Sequence, residues 1–188
     1  MIIWIDGATG VGKSHVAAKL AEVFEEKNVE YIESDLYWFN WIKKNLRKAL
    51  SGFNPYTNKY FLDELRNALE EKNQLGITPI VSMSLVDKLC ETELLDYFEV
   101  KKLPMIHIIL EASKEEIILR IKNDCSRDQV MQSEQIENVE WQVDYLEGSD
   151  INAIRVCTEN RSIKEIVEEI KNYLSENWVN GAFLLSNK

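Results

Sequence analysis

Apolar residues run in short blocks along this chain, and between the blocks they recur at helical spacing. Ile2 to Ile5 reads Ile-Ile-Trp-Ile, is closed by Asp6-Gly7, and predicts a short buried strand. Over residues 13–27, Val16, Leu20, Val23 and Phe24 share a face with Ala17 and Ala21. Lys19, Glu22, Glu25 and Glu26 fall elsewhere, as in an amphipathic helix. The alternation then repeats. Further strands are expected over 29–32, 77–83, 105–110 and 150–157, with Pro79 near the start of its strand because it has no amide to donate. Helices are expected over 36–50, 60–71, 86–98, from Ser113 onward, up to about Leu146, and from Ser162 onward. Ser113 with Glu116, and Ser162 with Glu165, have the spacing of capping boxes. Residues 52–57 and 123–128 read as loops.

Strands alternating with helices build βαβ units and a parallel sheet, with right-handed crossovers placing helices on both faces. The near-continuous apolar strands suit a sheet buried on both sides. A length of 188 residues, 45% hydrophobic and 29% charged, fits one globular domain. We place it at 1–176, with an acceptor-side helical region at 36–75, a lid region at 120–147 and a C-terminal tail at 177–188. The formal net charge of -10 argues against nucleic acid or an anionic membrane as the main partner. Cys90, Cys125 and Cys157 are far apart and odd in number, which argues against a disulfide framework or a zinc site. No run approaches the ~20 apolar residues of a membrane span, and no leader pattern precedes the first strand, so the expected location is cytoplasmic. Trp178, Phe183, Leu184 and Leu185 in the tail offer apolar surface to a second copy, which leaves a homodimer open.

The first strand flows into Gly7-Ala8-Thr9-Gly10-Val11-Gly12-Lys13-Ser14, a match to G-x-x-x-x-G-K-[ST] placed between a strand and a helix. Glycines let successive amides converge on one concavity that cradles phosphates, and the following helix presents its positive end to the same anion. Lys13 is expected at the β- and γ-phosphates and Ser14 at Mg²⁺. A nucleoside triphosphate, taken as ATP, with Mg²⁺ is the implied ligand.

Glu33-Ser34-Asp35 closes the second strand, at the edge where open parallel sheets bind ligands. Asp35 is the first candidate for a general base and a second candidate, after Ser14, for the metal; Glu33 is the alternative base. Asp35 would equally well cap a helix starting at Leu36. Arg120 and Arg127 suit a lid whose guanidinium groups close over phosphates, or else a solvated helix face and loop. Tyr37, Trp38, Phe39 and Trp41, followed by Lys43, Lys44, Arg47 and Lys48, are either a pocket wall or a core stripe with bases in water. The third strand ends Ile80-Val81-Ser82-Met83-Ser84 without the acid that motor ATPases and switch GTPases place there, although Ser82 and Ser84 remain able to hold a Mg²⁺ water. His15 and His107 read as structural.

Residues 1–7 running into the phosphate loop resemble the start of the tunicamycin-resistance protein family of bacteria. The likeness returns in Ile80-Val81-Ser82-Met83-Ser84-Leu85-Val86, in Ala112-Ser113-Lys114-Glu115 with Arg120, and in Thr158-Glu159-Asn160-Arg161-Ser162-Ile163. The resemblance implies a three-layer α/β/α P-loop fold of the nucleotide-kinase kind, near chloramphenicol phosphotransferases and shikimate kinases, with a five-stranded parallel sheet of order 2-3-1-4-5. It also implies adenine contacts at Thr158, Asn160 and Arg161. Asp6 stands where these relatives often have Asn, and Asp124 where their lids carry a second arginine. The expected activity is transfer of the γ-phosphate of ATP to a hydroxyl of a nucleoside-, sugar- or antibiotic-like small molecule. The rival is an ATP-dependent sequestering protein that transfers nothing.

Overall fold

The computed structural model describes residues 1–25, 28–126, 128–149 and 151–178. Five strands form one parallel sheet: β1 (Ile2–Gly7), β2 (Val29–Glu33), β3 (Thr78–Ser82), β4 (Met105–Glu111) and β5 (Ile154–Cys157). Their spatial order is β2-β3-β1-β4-β5, so the strand that enters the phosphate loop lies at the centre. β1 is buried along its whole length, as its unbroken apolar run requires.

Side chains alternate between the faces of the sheet. Ile3, Ile5 and Ile80 point to the face covered by α1 (Lys13–Val23), α7 (Lys114–Asn123) and α9 (Ile163–Trp178), which contribute Val16, Leu20, Ile117, Ile166 and Ile170. Ile2, Trp4 and Val81 point to the other face. There they meet α2 (Ser34–Lys44), α4 (Lys59–Gln74) and a helical run made of α5 (Lys88–Cys90), a π-helical stretch (Glu91–Asp96) and α6 (Tyr97–Val100). A short α3 (Leu46–Ala49) follows α2, and α8 (Gln129–Gly148) packs along α7.

Several boundaries differ from the sequence reading. The helix expected over 36–50 starts at Ser34 and breaks at Asn45, so Asp35 lies inside its first turn rather than capping it. A carboxylate in that turn still favours the helix through the macrodipole. The helix expected from Val86 begins at Lys88, with Asp87 capping it by accepting the Leu89 amide at 2.8 Å. Ser113 and Ser162 cap as expected: Ser113 Oγ accepts the Glu116 amide at 3.4 Å, and Ser162 Oγ the Glu165 amide at 3.3 Å. Trp38 and Trp41 are buried, stacked with centroids 5.3 Å apart, and both meet Phe61 edge-on, which makes them core. Most of the tail proposed at 177–188, including Phe183, Leu184 and Leu185, lies outside the described residues, as does Arg127. Among the described residues no helix is long and apolar enough to cross a membrane.

Candidate functional site

The loop between β1 and α1 is shaped by glycines at the points where it turns. Gly10 has φ 78° and packs so tightly that a Cβ would lie 2.6 Å from Ile121 Cγ1. Gly12 has φ 110° and faces open space. α1 begins directly after it with no side-chain cap and no acid in its first turn. By contrast α4, α7 and α8 each have a capping side chain: Asn58, Ser113 and Asp128. The bare amides and positive end of α1 therefore face the concavity, an arrangement suited to an anion. Lys13 Nζ donates to the Ala8 carbonyl at 2.9 Å, across the same loop.

The register of the sheet sets two acids at this edge. Glu33 pairs with Ser82 and Ser82 with Ile5, so all three point to the α1 face. Ser14, at the start of α1, donates its hydroxyl to Glu33 Oε1 at 2.9 Å. Ser82 Oγ reaches the same oxygen at 3.3 Å, and the Tyr31 phenol, two residues back on the same face, donates to Oε2. Burial first, and then the hydrogen bond to Glu33, push the Tyr31 phenol up to about 12. Asp6 points to the opposite face and is fully buried. Its Oδ1 accepts the Gly7 and Leu85 amides at 2.6 and 2.9 Å, and its Oδ2 lies 2.9 Å from His107 Nε2. His107 is the structural histidine expected, whereas His15 is exposed at the rim of the phosphate-loop cavity.

A cavity of about 580 Å³ joins these pieces. Thr9 to Ser14 form its floor, Glu33 and Asp35 line one end, and Thr158, Asn160 and Arg161 line the other. Asp35 is exposed there. Arg120 lies between the loop and the far end. Its Nη1 donates to the Val11 carbonyl (3.1 Å) and to Thr158 Oγ1 (3.0 Å), its Nη2 to the Thr158 carbonyl (2.9 Å), and its Nε to Glu116 (2.8 Å). These bonds clamp the phosphate loop to the end of β5. Arg161 is anchored on the Cys157 carbonyl and on Glu169.

Three further residues at the site escaped the sequence reading. Tyr56, in the loop before α4, lines the cavity beside Asp35, and burial with the Asp35 charge nearby raises its phenol to about 12. Gln142, buried on α8, accepts the Thr9 amide of the phosphate loop at 2.7 Å. Glu116 orients Arg120 one helical turn away. Only Tyr56 had a local sign, an aromatic in a Gly-Asn-Pro loop. Ser84, considered for a metal water, instead donates to the Gly7 carbonyl at 2.9 Å.

The sheet order, the glycine loop and the cavity above it together define a P-loop kinase-like fold. No family model matches the sequence, and no curated protein does. Solved structures do. A tunicamycin resistance protein from Deinococcus radiodurans superposes with a TM-score of 0.67 at 24% identity, covering 92% of this chain and 94% of its own. A gluconokinase from Sinorhizobium meliloti 1021 gives 0.65 at 20% identity, covering 98% and 97%. A shikimate kinase from Bacteroides thetaiotaomicron gives 0.61 at 16% identity, covering 93% and 98%. The chain shares its fold, over nearly its full length, with proteins described as small-molecule kinases.

Proposed function

We propose that this protein is an ATP-dependent small-molecule kinase. The observation that carries the reading is the single cavity in which a bare helix N-terminus, a Lys13-Ser14 pair and two carboxylates meet. The amides of residues 10–14 hold the phosphates, and Lys13 moves from the Ala8 carbonyl to the β- and γ-oxygens. Thr158, Asn160 and Arg161 form the adenine end, with Arg120 fixing its distance from the loop.

The donor set also fits a magnesium ion. Ser14 Oγ and Glu33 Oε1, 2.9 Å apart, are hard oxygen groups of the kind Mg²⁺ selects, either directly or through its waters. Mg²⁺, when bound, neutralises charge on the transferring phosphoryl group. Glu33 thereby takes the place of the acid missing from β3, because its partner Ser82 occupies that position on the neighbouring strand. Asp35 accepts the proton of the acceptor hydroxyl as its oxygen bonds to the γ-phosphorus, and the bond from that phosphorus to the β-γ bridging oxygen breaks, releasing ADP. Tyr56 stands beside Asp35 on the acceptor side.

The test is phosphate transfer from γ-labelled ATP to a panel of nucleosides, sugars and amphiphilic antibiotics. Asp35→Asn should lower transfer by 10²-fold or more while leaving ATP·Mg²⁺ binding within about threefold. Lys13→Ala should abolish binding itself. Full-rate transfer by Asp35→Asn would remove Asp35 from the chemistry. Tight ATP binding with no transfer to any acceptor would favour the sequestering reading.

A further inference from the structure

A second cavity lies away from the phosphate loop. It has a volume of about 820 Å³, within the range of small-molecule sites, and shares no lining residue with the nucleotide cavity. It opens on the other face of the sheet, between the α5–α6 run and the end of α8. Three features mark it as built to hold something.

His107 lines it, with a side chain only 3% exposed. Its Nε2 is committed to Asp6, while its Nδ1 has no hydrogen-bond partner among the described residues. Asp6 already accepts two backbone amides through Oδ1. A carboxylate acting as acceptor at Oδ2 as well requires a ring proton on Nε2, which in the neutral imidazole leaves Nδ1 as an unmatched buried acceptor. Such a group costs free energy unless a donor meets it. Secondly, the π-helical stretch supplies Glu91, Leu95 and Asp96 to the wall, and π-turns inside helices recur at functional sites. Thirdly, the wall is amphiphilic and acidic. Leu95, Leu103, Pro104, Met105 and Ile151 supply apolar surface, and Glu91, Asp96, Glu99 and Asp144 outnumber Lys88 and Lys102. Lys88 is bonded to Glu91 (2.6 Å), and Tyr145 donates to the same carboxylate at 2.7 Å.

We infer that this cavity is a second small-molecule site, for a neutral or cationic amphiphile that packs against the wall to which His107 belongs. Anions are disfavoured by the acidic wall. Occupancy is felt next to the phosphate loop, because the carboxylate that holds His107 also holds the Gly7 amide. The inference does not depend on phosphotransfer.

The chain has two histidines, His15 and His107, so full-length protein labelled with ¹⁵N-histidine gives two imidazoles to follow by NMR. His15→Gln assigns them. Tyramine is the probe and 4-hydroxyphenylacetate its anionic counterpart. Tyramine should shift the His107 Nδ1 resonance saturably, with a dissociation constant on the order of 1 mM, as expected for a probe of about ten heavy atoms. The shift should persist with ATP·Mg²⁺ present and disappear in Leu103→Trp, which fills the cavity. Ile151→Trp, on a connecting segment, makes the same test if Leu103→Trp does not fold. No shift at about ten times that concentration, an equal response to 4-hydroxyphenylacetate, a shift confined to His15, or displacement by ATP would each overturn the assignment.

Discussion

Asp6 and Glu33 stand at the same edge of the sheet, on opposite faces, and are satisfied by different chemistry. Asp6 is fully buried and held by two amides and an imidazole, all fixed by the backbone or the core. Glu33 is half-buried and held by three hydroxyls, from Ser14, Ser82 and Tyr31. Amides fixed in a buried backbone cannot leave, whereas hydroxyls rotate at little cost and can turn toward a cation or its waters. The first acid is scaffold that fixes where the phosphate loop departs from β1. The second is poised to exchange partners. Both touch a phosphate-loop residue, Gly7 for Asp6 and Ser14 for Glu33, so proximity alone would not separate them; the identity of the donors does.

The sharpest way to break this comparison is to remove each acid. Asp6→Ala leaves the Gly7 and Leu85 amides and the His107 ring buried without an acceptor. It should cost about 4 kcal/mol of stability in denaturant unfolding, in line with breaking a buried pair from one side. Asp6→Asn keeps an acceptor for the amides and, with the other imidazole tautomer, a donor for His107, so it should cost about 1 kcal/mol. If Asp6→Ala were nearly neutral, Asp6 would not be scaffold. Glu33→Gln should behave in the opposite way. Stability should change by less than about 1 kcal/mol, since the three hydroxyls reach water or the amide. Mg²⁺-dependent ATP affinity, measured by calorimetry, should fall about 10- to 100-fold, the usual cost of losing a group that orients metal ligands. Metal-free nucleotide binding should hardly move. An equal loss with and without Mg²⁺ would assign Glu33 to the nucleotide rather than to the ion.

How much of this was legible beforehand follows the range of the interactions involved. The phosphate loop is encoded in eight consecutive residues, and the Ser113 and Ser162 caps in spacings of three, so both could be read directly. The sheet followed from apolar blocks, while its strand order came only through the family resemblance. Glu33 could be ranked only second to Asp35, because its reach to Ser14 depends on strand register, and register is set by pairing with a segment almost 50 residues away. Gln142 is 133 positions from the amide it holds and leaves no local trace. The π-helical stretch adds one residue per turn without disturbing the apolar pattern enough to show. Trp38 and Trp41 fitted either wall or core by spacing, and only packing against Phe61 decided for the core.

The smallest effect sharpens the comparison through Tyr31, whose phenol donates to Glu33. In the folded protein its burial and that carboxylate raise the phenol from 10.0 to about 12. Between those values the unfolded chain releases the proton and the folded chain keeps it, so the folded state binds more protons and stability falls as pH rises. The contribution is fully present below pH 10 and is lost by pH 12. Two pH units would carry ~2.7 kcal/mol in a dry site, but Tyr31 is partly exposed and solvent screening reduces this to about 1 kcal/mol. Glu33→Gln removes the charge and leaves the burial, so the phenol should titrate lower, yet still above 10, when followed by ultraviolet difference absorbance. Tyr31→Phe should flatten the alkaline limb of the stability profile by the same amount. If the phenol titrates at its ordinary value in the parent chain, the hydroxyl does not hold Glu33 in solution, and the exchangeable network around that acid reduces to Ser14 and Ser82.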